Sequence, residues 1–547
     1  MGPVIYCFLV SLFIIEPIIK VWFPDQTFSI PYFYGCTGML LCGLQLYHNS
    51  QWKLSLTDLL LLTLFLYNLP NILKYDYFPV VVSMFAVYLL SKSLSNKSKI
   101  TYILIGSGIL QVLIMSIQWS GILVANSTFT ITGSFDNPGP LGGYLGICYI
   151  ACIGNYRHMN KYVYIACNFI LGGALIFSNS RAAWLGVALA LLYMGMKLLY
   201  INRIRQIIIF TVFITAFITL SLTAYKTDSA KGRLAIWKIS IGMMAKDPLL
   251  GNGLASFRRD YMKHQAYYQN EHPHVEENKF LTNNGFAFNE YLHILYEQGI
   301  VGLLLILTIL ILLIREGIRQ NSPFLLCLVV LAVFSCFSYP LEVFPLLILT
   351  SIITGILSTN KYIITLKKYS LFRKWIISTL CVFIIIIMGC RWMENLRLEN
   401  ALYSFLYRND YKSLDYLSHH YPTIKNNTDF LLRYARILYM KGEYKIAIPV
   451  MKQAILLYPT TDKYCELGDI YQSLEQYENA EQVYQHAIYL LPTRIYSHYC
   501  LFCLYKNIDQ KEKAIDKAYD IIKLSPKKKS HHYIEIISQV KQYIIDL

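Results

Sequence analysis

Phe288-Asn-Glu-Tyr-Leu-His-Ile-Leu-Tyr-Glu-Gln-Gly-Ile-Val-Gly-Leu-Leu-Leu-Ile-Leu-Thr-Ile-Leu-Ile-Leu-Leu-Ile314 decides how the chain is read. Its second half is an apolar run, and a helix needs about 20 mostly apolar residues to cross a bilayer. Its first half places Glu290, His293 and Glu297 at i, i+3 and i+7, on one face of the same helix. Charged groups at the end of a membrane span are costly and mark a candidate site. Outward from 292–314, further apolar runs fall at 3–23, 30–47, 56–73, 77–94, 100–120, 140–156, 162–178, 183–200, 206–224, 323–339, 342–358 and 374–391.

The 547 residues are 55% hydrophobic and 15% charged, with a mean hydropathy of +0.41. Soluble domains carry about 25% charged residues. The shortfall excludes a purely cytosolic enzyme, a disordered tail and a secreted disulfide scaffold. The 13 cysteines show no paired spacing, and Cys500 and Cys503 form a lone CxxC inside a helical repeat. They read as small core residues rather than metal or redox groups. The first run has no Lys or Arg before it and no small-residue cleavage site after it, so it reads as a retained anchor.

Short loops set orientation through their Lys and Arg content. Lys92, Lys97 and Lys99, then Arg157 and Lys161, then Arg315 and Arg319 mark alternate loops, whereas 24–30, 71–77 and 124–136 nearly lack such residues. A cytoplasmic N-terminus puts every basic loop in the cytoplasm. It puts the long loop 225–291 and everything after the last run outside. The net charge of +16 is then largely a topology signal, and nucleic acid is not an expected partner.

After Arg391 the composition turns amphipathic and tyrosine-rich. Ala447, Ala480 and Ala514 recur at near-equal spacing, as do Pro459, Pro492 and Pro526, with Gly442, Gly468 and Tyr471 between them. The pattern resembles the tetratricopeptide repeat, which stacks helix pairs and leaves a concave face for a partner. A plain structural cap is the alternative. The expected architecture is all-α: a polytopic membrane bundle of about 12–13 spans over 1–391, then a periplasmic α-solenoid over 392–547.

Three outer-face clusters can carry chemistry. Gly133-Ser-Phe-Asp136-Asn137-Pro-Gly-Pro-Leu-Gly-Gly-Tyr144 opens a span with a glycine-rich turn, which bares amide N–H groups to an anion or to sugar hydroxyls; an ordinary cap on a close-packed helix is the plainer reading. Ser180-Arg181-Ala-Ala-Trp184 sets one guanidinium at a tight turn, where it can fork onto a phosphate or simply snorkel. The long loop holds Gly232-Arg233 with Trp237, Pro248-Leu-Leu-Gly-Asn-Gly253, Arg258 and Arg259, His264, His272 and His274, and ends in Asn289-Glu290 with His293 and Glu297. A carboxylate there can take a proton from an acceptor hydroxyl. His272-Pro-His274 with Glu276 and Glu277 is a weak metal pattern, and no metal is expected.

In this order, these motifs resemble the O-antigen ligase superfamily of O-antigen ligases, O-antigen polymerases and protein O-oligosaccharyltransferases, over about 120–360. The resemblance implies a metal-independent, inverting glycosyltransferase of the bacterial inner membrane that needs no cofactor. Its donor is a glycan on a polyprenyl (undecaprenyl) diphosphate carrier, used at the periplasmic face. Arg181 and Arg233 are implied to hold the diphosphate, with Arg258, Asp136, Asn137 and Asn289 as further donor or glycan contacts. Many relatives carry a histidine just before the loop's terminal Asn, where this chain has Ala287 and Phe288. Glu290 is therefore the candidate base and His293 the second, with the three loop histidines in reserve. The external repeats favour a protein acceptor, ahead of lipid A-core or a growing glycan. A flippase, with Glu16 and Glu342 as nearly buried acids, is the distant alternative.

Overall fold

The computed structural model describes residues 1–22, 28–48, 52–75, 77–125, 129–202, 205–206, 208–209, 227–244, 247–358, 362–366, 371–524 and 531–546. The apolar run 206–224 lies almost wholly outside them, as does Pro526. The described chain is helical throughout apart from one antiparallel strand pair, β1 (Trp52–Ser55) with β2 (Tyr362–Leu366), which the all-α expectation did not include.

The first eight helices are α1 (Gly2–Trp22), α2 (Ser29–His48), α3 (Leu56–Lys74), α4 (Phe78–Ser93), α5 (Ser98–Trp119), α6 (Pro138–Gly154), α7 (Lys161–Phe177) and α8 (Arg181–Leu198). Next come α9 (Thr227–Met243) and α10 (Ser256–Glu271) in the long loop. They are followed by α11 (Glu290–Arg319), α12 (Phe324–Ser335), α13 (Phe344–Leu357) and α14 (Leu371–Arg408). Six helices among the described residues are long and apolar enough to cross a membrane: α1, α3, α5, α8, α11 and the part of α14 from Trp375. Four shorter apolar helices, α4, α7, α12 and α13, run alongside them. Of the thirteen apolar runs, six form helices of this length and four form the shorter ones; 30–47 and 140–156 form α2 and α6, and 206–224 lies almost wholly outside the described residues.

Helix α6 sits at the centre of one half of the bundle, against α5, α7, α8 and α12. Pro138 is pre-set for the first turn, and Asn137 caps it by accepting from Gly139 N–H at 2.8 Å. Its glycines serve close packing: a Cβ on Gly143 would meet the Phe334 ring at 2.6 Å, and one on Gly142 would meet Ser180 at 2.3 Å. The second half joins α2, α4, α13 and α14.

Helix α11 is broken at Gly299, whose φ of 63° and ψ of −170° suit glycine alone. The segment Asp247–Gly253 lies across the break. Ile300 N–H donates to Pro248 O at 2.9 Å, and Gly253 N–H to Glu297 O at 2.8 Å. A Cβ on Gly299 would meet Leu249 O at 2.2 Å. The Pro248–Gly253 motif and Glu297-Gln-Gly299 are therefore the two sides of one joint.

Helix α14 runs for 38 residues through the composition change at Arg391. Beyond it come α15 (Tyr411–His419), α16 (Tyr421–Ile424), α17 (Thr428–Met440), α18 (Tyr444–Leu457), α19 (Thr461–Ser473), α20 (Tyr477–Leu490), α21 (Ile495–Asn507), α22 (Lys511–Lys523) and α23 (His531–Ile545). From α17 onward successive helices pair and stack in chain order. The periodic Ala447, Ala480 and Ala514 are fully buried where helices cross, and Gly468 admits the Tyr484 ring. These helices share a core of their own, separate from that of the bundle.

Candidate functional site

Helices α9 and α10 fold the long loop into a small third core that rests on α11. Trp237 Nε1 of α9 donates to Ala287 O at 3.0 Å and so holds the segment ahead of α11. Asn289 caps α11, its side chain accepting from Tyr291 N–H at 3.0 Å and Leu292 N–H at 3.1 Å.

Two groups of polar residues meet at this end of the bundle. The first is the arginine pair. Arg233 of α9 and Arg181, the first residue of α8, lie close enough that burial and the second guanidinium push the Arg233 pKa down to about 10. Tyr339 lies beside Arg233 and near Asn137. Arg233 also stands 6.0 Å from the centre of the Phe288 ring. Asp136 is exposed and pairs with Lys20 of α1 at 3.1 Å. Two half-buried like charges in one place are unfavourable unless an anion joins them.

The second group is acidic and built on the face of α11. Glu290 is buried, and its Oε1 accepts from Leu341 N–H at 2.6 Å, which fixes the 3-10 turn Pro340–Glu342. That turn brings in Glu342. His293 is buried too, stacked on Phe257 at 4.8 Å between ring centres. Its Nε2 is 3.3 Å from Glu297 Oε1 and 3.8 Å from Glu342 Oε1. Glu297 Oε1 also accepts from Phe257 N–H at 3.2 Å. The other oxygen of Glu342 faces Arg258 of α10 at 3.7 Å. Burial works against the charge of Arg258, but Glu342 and the neighbouring phenols more than offset it, raising the pKa. Glu342 is the most accessible of the three acids.

The segment between α12 and α13 joins the groups, carrying Tyr339 beside the arginines and Glu342 beside His293. An apolar cavity of about 760 Å³ opens below the acidic group. Leu61, Phe65, Val81, Phe85, Leu347 and Ile384 are among its walls, and Glu290, His293, Glu297 and Glu342 line one end.

The structure thus gathers Arg181, Arg233, Asn137 and Asn289 near one end of the bundle, and Glu290, His293 and Arg258 at the adjoining group. It gives Glu290 an anchoring contact, and Asn137 and Asn289 capping ones. The loop histidines lie elsewhere: His264 Nδ1 faces its own helix backbone, Asp260 O, at 3.0 Å, while His272 and His274 are exposed at the far end of α10. Among the described residues no three His, Cys, Asp or Glu side chains come together as metal ligands. Sequence reasoning placed Glu342 only as a nearly buried acid and overlooked Tyr339. The signal was the polar break Ser338-Tyr-Pro-Leu-Glu342 between two apolar runs.

Fold and site together define a polytopic membrane protein with paired arginines and a carboxylate–histidine group at one end of its helix bundle. Residues 166–307 match the O-antigen ligase family, and residues 324–498 match the C-terminal part of the virulence factor membrane-bound polymerases. The chain belongs to the O-antigen ligase/polymerase superfamily. No curated protein matches it.

Proposed function

We propose that this protein transfers a glycan from a polyprenyl (undecaprenyl) diphosphate carrier to an acceptor hydroxyl at the periplasmic face of the bacterial inner membrane. The observation that carries this reading is the pairing of Arg181 with Arg233 beside the Glu342–His293 group. The acceptor hydroxyl gives its proton to Glu342, its oxygen bonds to the anomeric carbon, and the bond from that carbon to the diphosphate breaks. The electron pair leaves with the diphosphate, whose growing charge falls on the two guanidiniums. Such a leaving group needs little acid help, so the reading requires no metal and no cofactor. The apolar cavity suits the carrier's lipid tail.

In this reading the N-terminus is cytoplasmic, and the stacked helix pairs after α14 are tetratricopeptide-like and periplasmic. They support a protein acceptor and hence a protein O-oligosaccharyltransferase. A second reading, an O-antigen ligase or polymerase with a sugar acceptor, is favoured by the family descriptions of both matches. The test is complementation of cells lacking the protein with wild type, Arg181→Ala, Arg233→Ala or Glu342→Gln. Glycans are blotted on lipopolysaccharide and on envelope protein. Loss of either product, restored by wild type and by none of the variants, is the expected result. Full complementation by all three variants rejects the assignment.

A further inference from the structure

Residues 283–288 link the stacked helices to both polar groups. Asn283 binds the turn between α18 and α19: its Nδ2 donates to Thr461 Oγ1 at 2.9 Å and to Asp462 Oδ2 at 3.2 Å, and its Oδ1 accepts from Thr461 N–H at 3.2 Å. Gly285 lies against Tyr458, the C-cap of α18; a Cβ there would meet the phenol oxygen at 3.1 Å and Arg258 Cγ at 3.2 Å. Phe286 lies flat on Tyr339, ring centres 4.4 Å apart, and Phe288 meets the same ring edge-on at 5.3 Å. Phe288 holds a φ of 50°, a conformation that persists in an aromatic residue only where its neighbours impose it. The segment thus starts at the C-terminal helices and ends beside Arg233, 6.0 Å from the Phe288 ring centre.

Tyr458 does more than fill the space that Gly285 leaves. The Arg258 guanidinium stands 5.0 Å from the Phe286 ring centre and 5.5 Å from that of Tyr458, with Glu342 Oε2 at 3.7 Å. Rings attract a guanidinium through its charge and leave its N–H groups for the carboxylate. Tyr458 is itself fixed by Lys463, whose Nζ donates to Tyr458 O at 2.8 Å and to Thr428 Oγ1 at 3.2 Å and lies 4.6 Å from the ring centre. Helices that only covered the long loop would need no such contact. Leu491, buried in the loop's core, and Asn270, which donates to Tyr489 O at 3.2 Å, already fasten the two together.

We infer that Tyr458 is a positioning residue for glycan transfer: its ring keeps the Arg258 guanidinium against Glu342, so that the C-terminal helices act on the reaction as well as covering the loop. The inference rests on the transfer reading above. Arg258 faces one oxygen of Glu342, and His293 faces the other. A carboxylate that must meet an acceptor hydroxyl at a set angle loses rate when it turns. The carrier's diphosphate, held at the arginine pair, does not feel that turn. Loss of the Tyr458 ring therefore lowers kcat and leaves KM for the carrier in place.

The test uses the full chain in lipid nanodiscs. The donor is carrier-linked glycan extracted from the host, and the acceptors are lipopolysaccharide and envelope protein from cells lacking the protein. Transfer is followed as the carrier is varied, and kcat is counted per carrier-binding site, so that misfolded protein does not lower it. Tyr458→Leu keeps bulk against Gly285 but has no ring face. Its kcat falls about tenfold, the rate equivalent of one desolvated cation–π contact, while KM for the carrier is unchanged. Tyr458→Phe keeps the ring and most of the rate. In an Arg258→Ala background Tyr458→Leu costs less than about twofold more, because it acts through the guanidinium. Tyr458→Leu at the wild-type kcat overturns the inference, and so does a loss that Tyr458→Phe shares. An undiminished loss in the Arg258→Ala background, or a raised carrier KM at unchanged kcat, overturns it as well. Wild type that transfers to neither acceptor rejects the transfer reading and the inference with it.

Discussion

Glu342 Oε1 stands 3.8 Å from His293 Nε2, although one residue lies in a 3-10 turn and the other on α11. The carboxylate sits between two basic groups and reaches the cavity, as a proton acceptor must. Glu342→Gln keeps the shape and removes the basicity. It should lower transfer by about 10²-fold or more, the usual share of general-base catalysis, with carrier binding retained. Single-turnover transfer to saturating acceptor is the measurement, and a loss under threefold assigns Glu342 to support only.

Glu290 is predicted to behave differently. Its Oε1 holds Leu341 N–H, so Glu290→Gln keeps an acceptor for that bond, and most activity survives. Glu290→Ala orphans the amide, displaces the Glu342 turn and costs about 1–3 kcal/mol of stability. Thermal unfolding measured beside transfer rate separates the two variants.

The arginine pair predicts an anion effect. Pyrophosphate relieves the repulsion between Arg181 and Arg233, so it should raise the unfolding temperature of wild type and leave that of Arg233→Ala unchanged. Arg233→Lys should not restore carrier binding fully, because an ammonium lacks the planar fork.

Gly299 is the residue at which the helix break admits Leu249 O. Gly299→Ala should destabilise the protein by about 1–3 kcal/mol through backbone strain alone, and more through the clash. Because the joint positions Glu297, transfer should fall with it. Circular dichroism melts and transfer assays on the same preparation check both.

Lys463 of α19 gives a pH signature. Burial pushes its pKa down to about 8, and Asp429 counters this only in part. Between about pH 8 and its ordinary value near 10.4, the unfolded chain binds more protons at this group than the folded one. Stability therefore rises with pH across that window and is insensitive to this group below it. Lys463→Met should flatten the rise, read as the wild-type minus variant difference in melting temperature.

Much of this was legible in the sequence, for physical reasons that also explain the gaps. Apolar runs located every described helix of the bundle, because lipid demands internally bonded backbone. The alanine spacing located the stacked pairs, because only small side chains fit where those helices cross. Arg181 and Arg233 were visible as cations on the side that otherwise avoids them. Glu342 was not: it acts through tertiary neighbours, His293 and Arg258, that no local period encodes. The role of Gly299 was equally hidden, since the segment that requires it lies about fifty residues earlier in the chain. Glu290 stood out for its place at a helix start, yet that place commits it to Leu341.

Helix α14 has one more consequence. Its 38 residues span about 57 Å, so it acts as a splined shaft whose two ends are keyed to each other. Inserting one residue between Arg391 and Leu398 turns everything beyond it by about 100°. Inserting seven nearly restores the angle but lifts the far end by about 10 Å. Contacts across the shaft, Asn395 Nδ2 to Tyr32 Oη and Asn426 Nδ2 to Lys74 O, each 2.8 Å, would slip out of register in the first case and draw apart in the second.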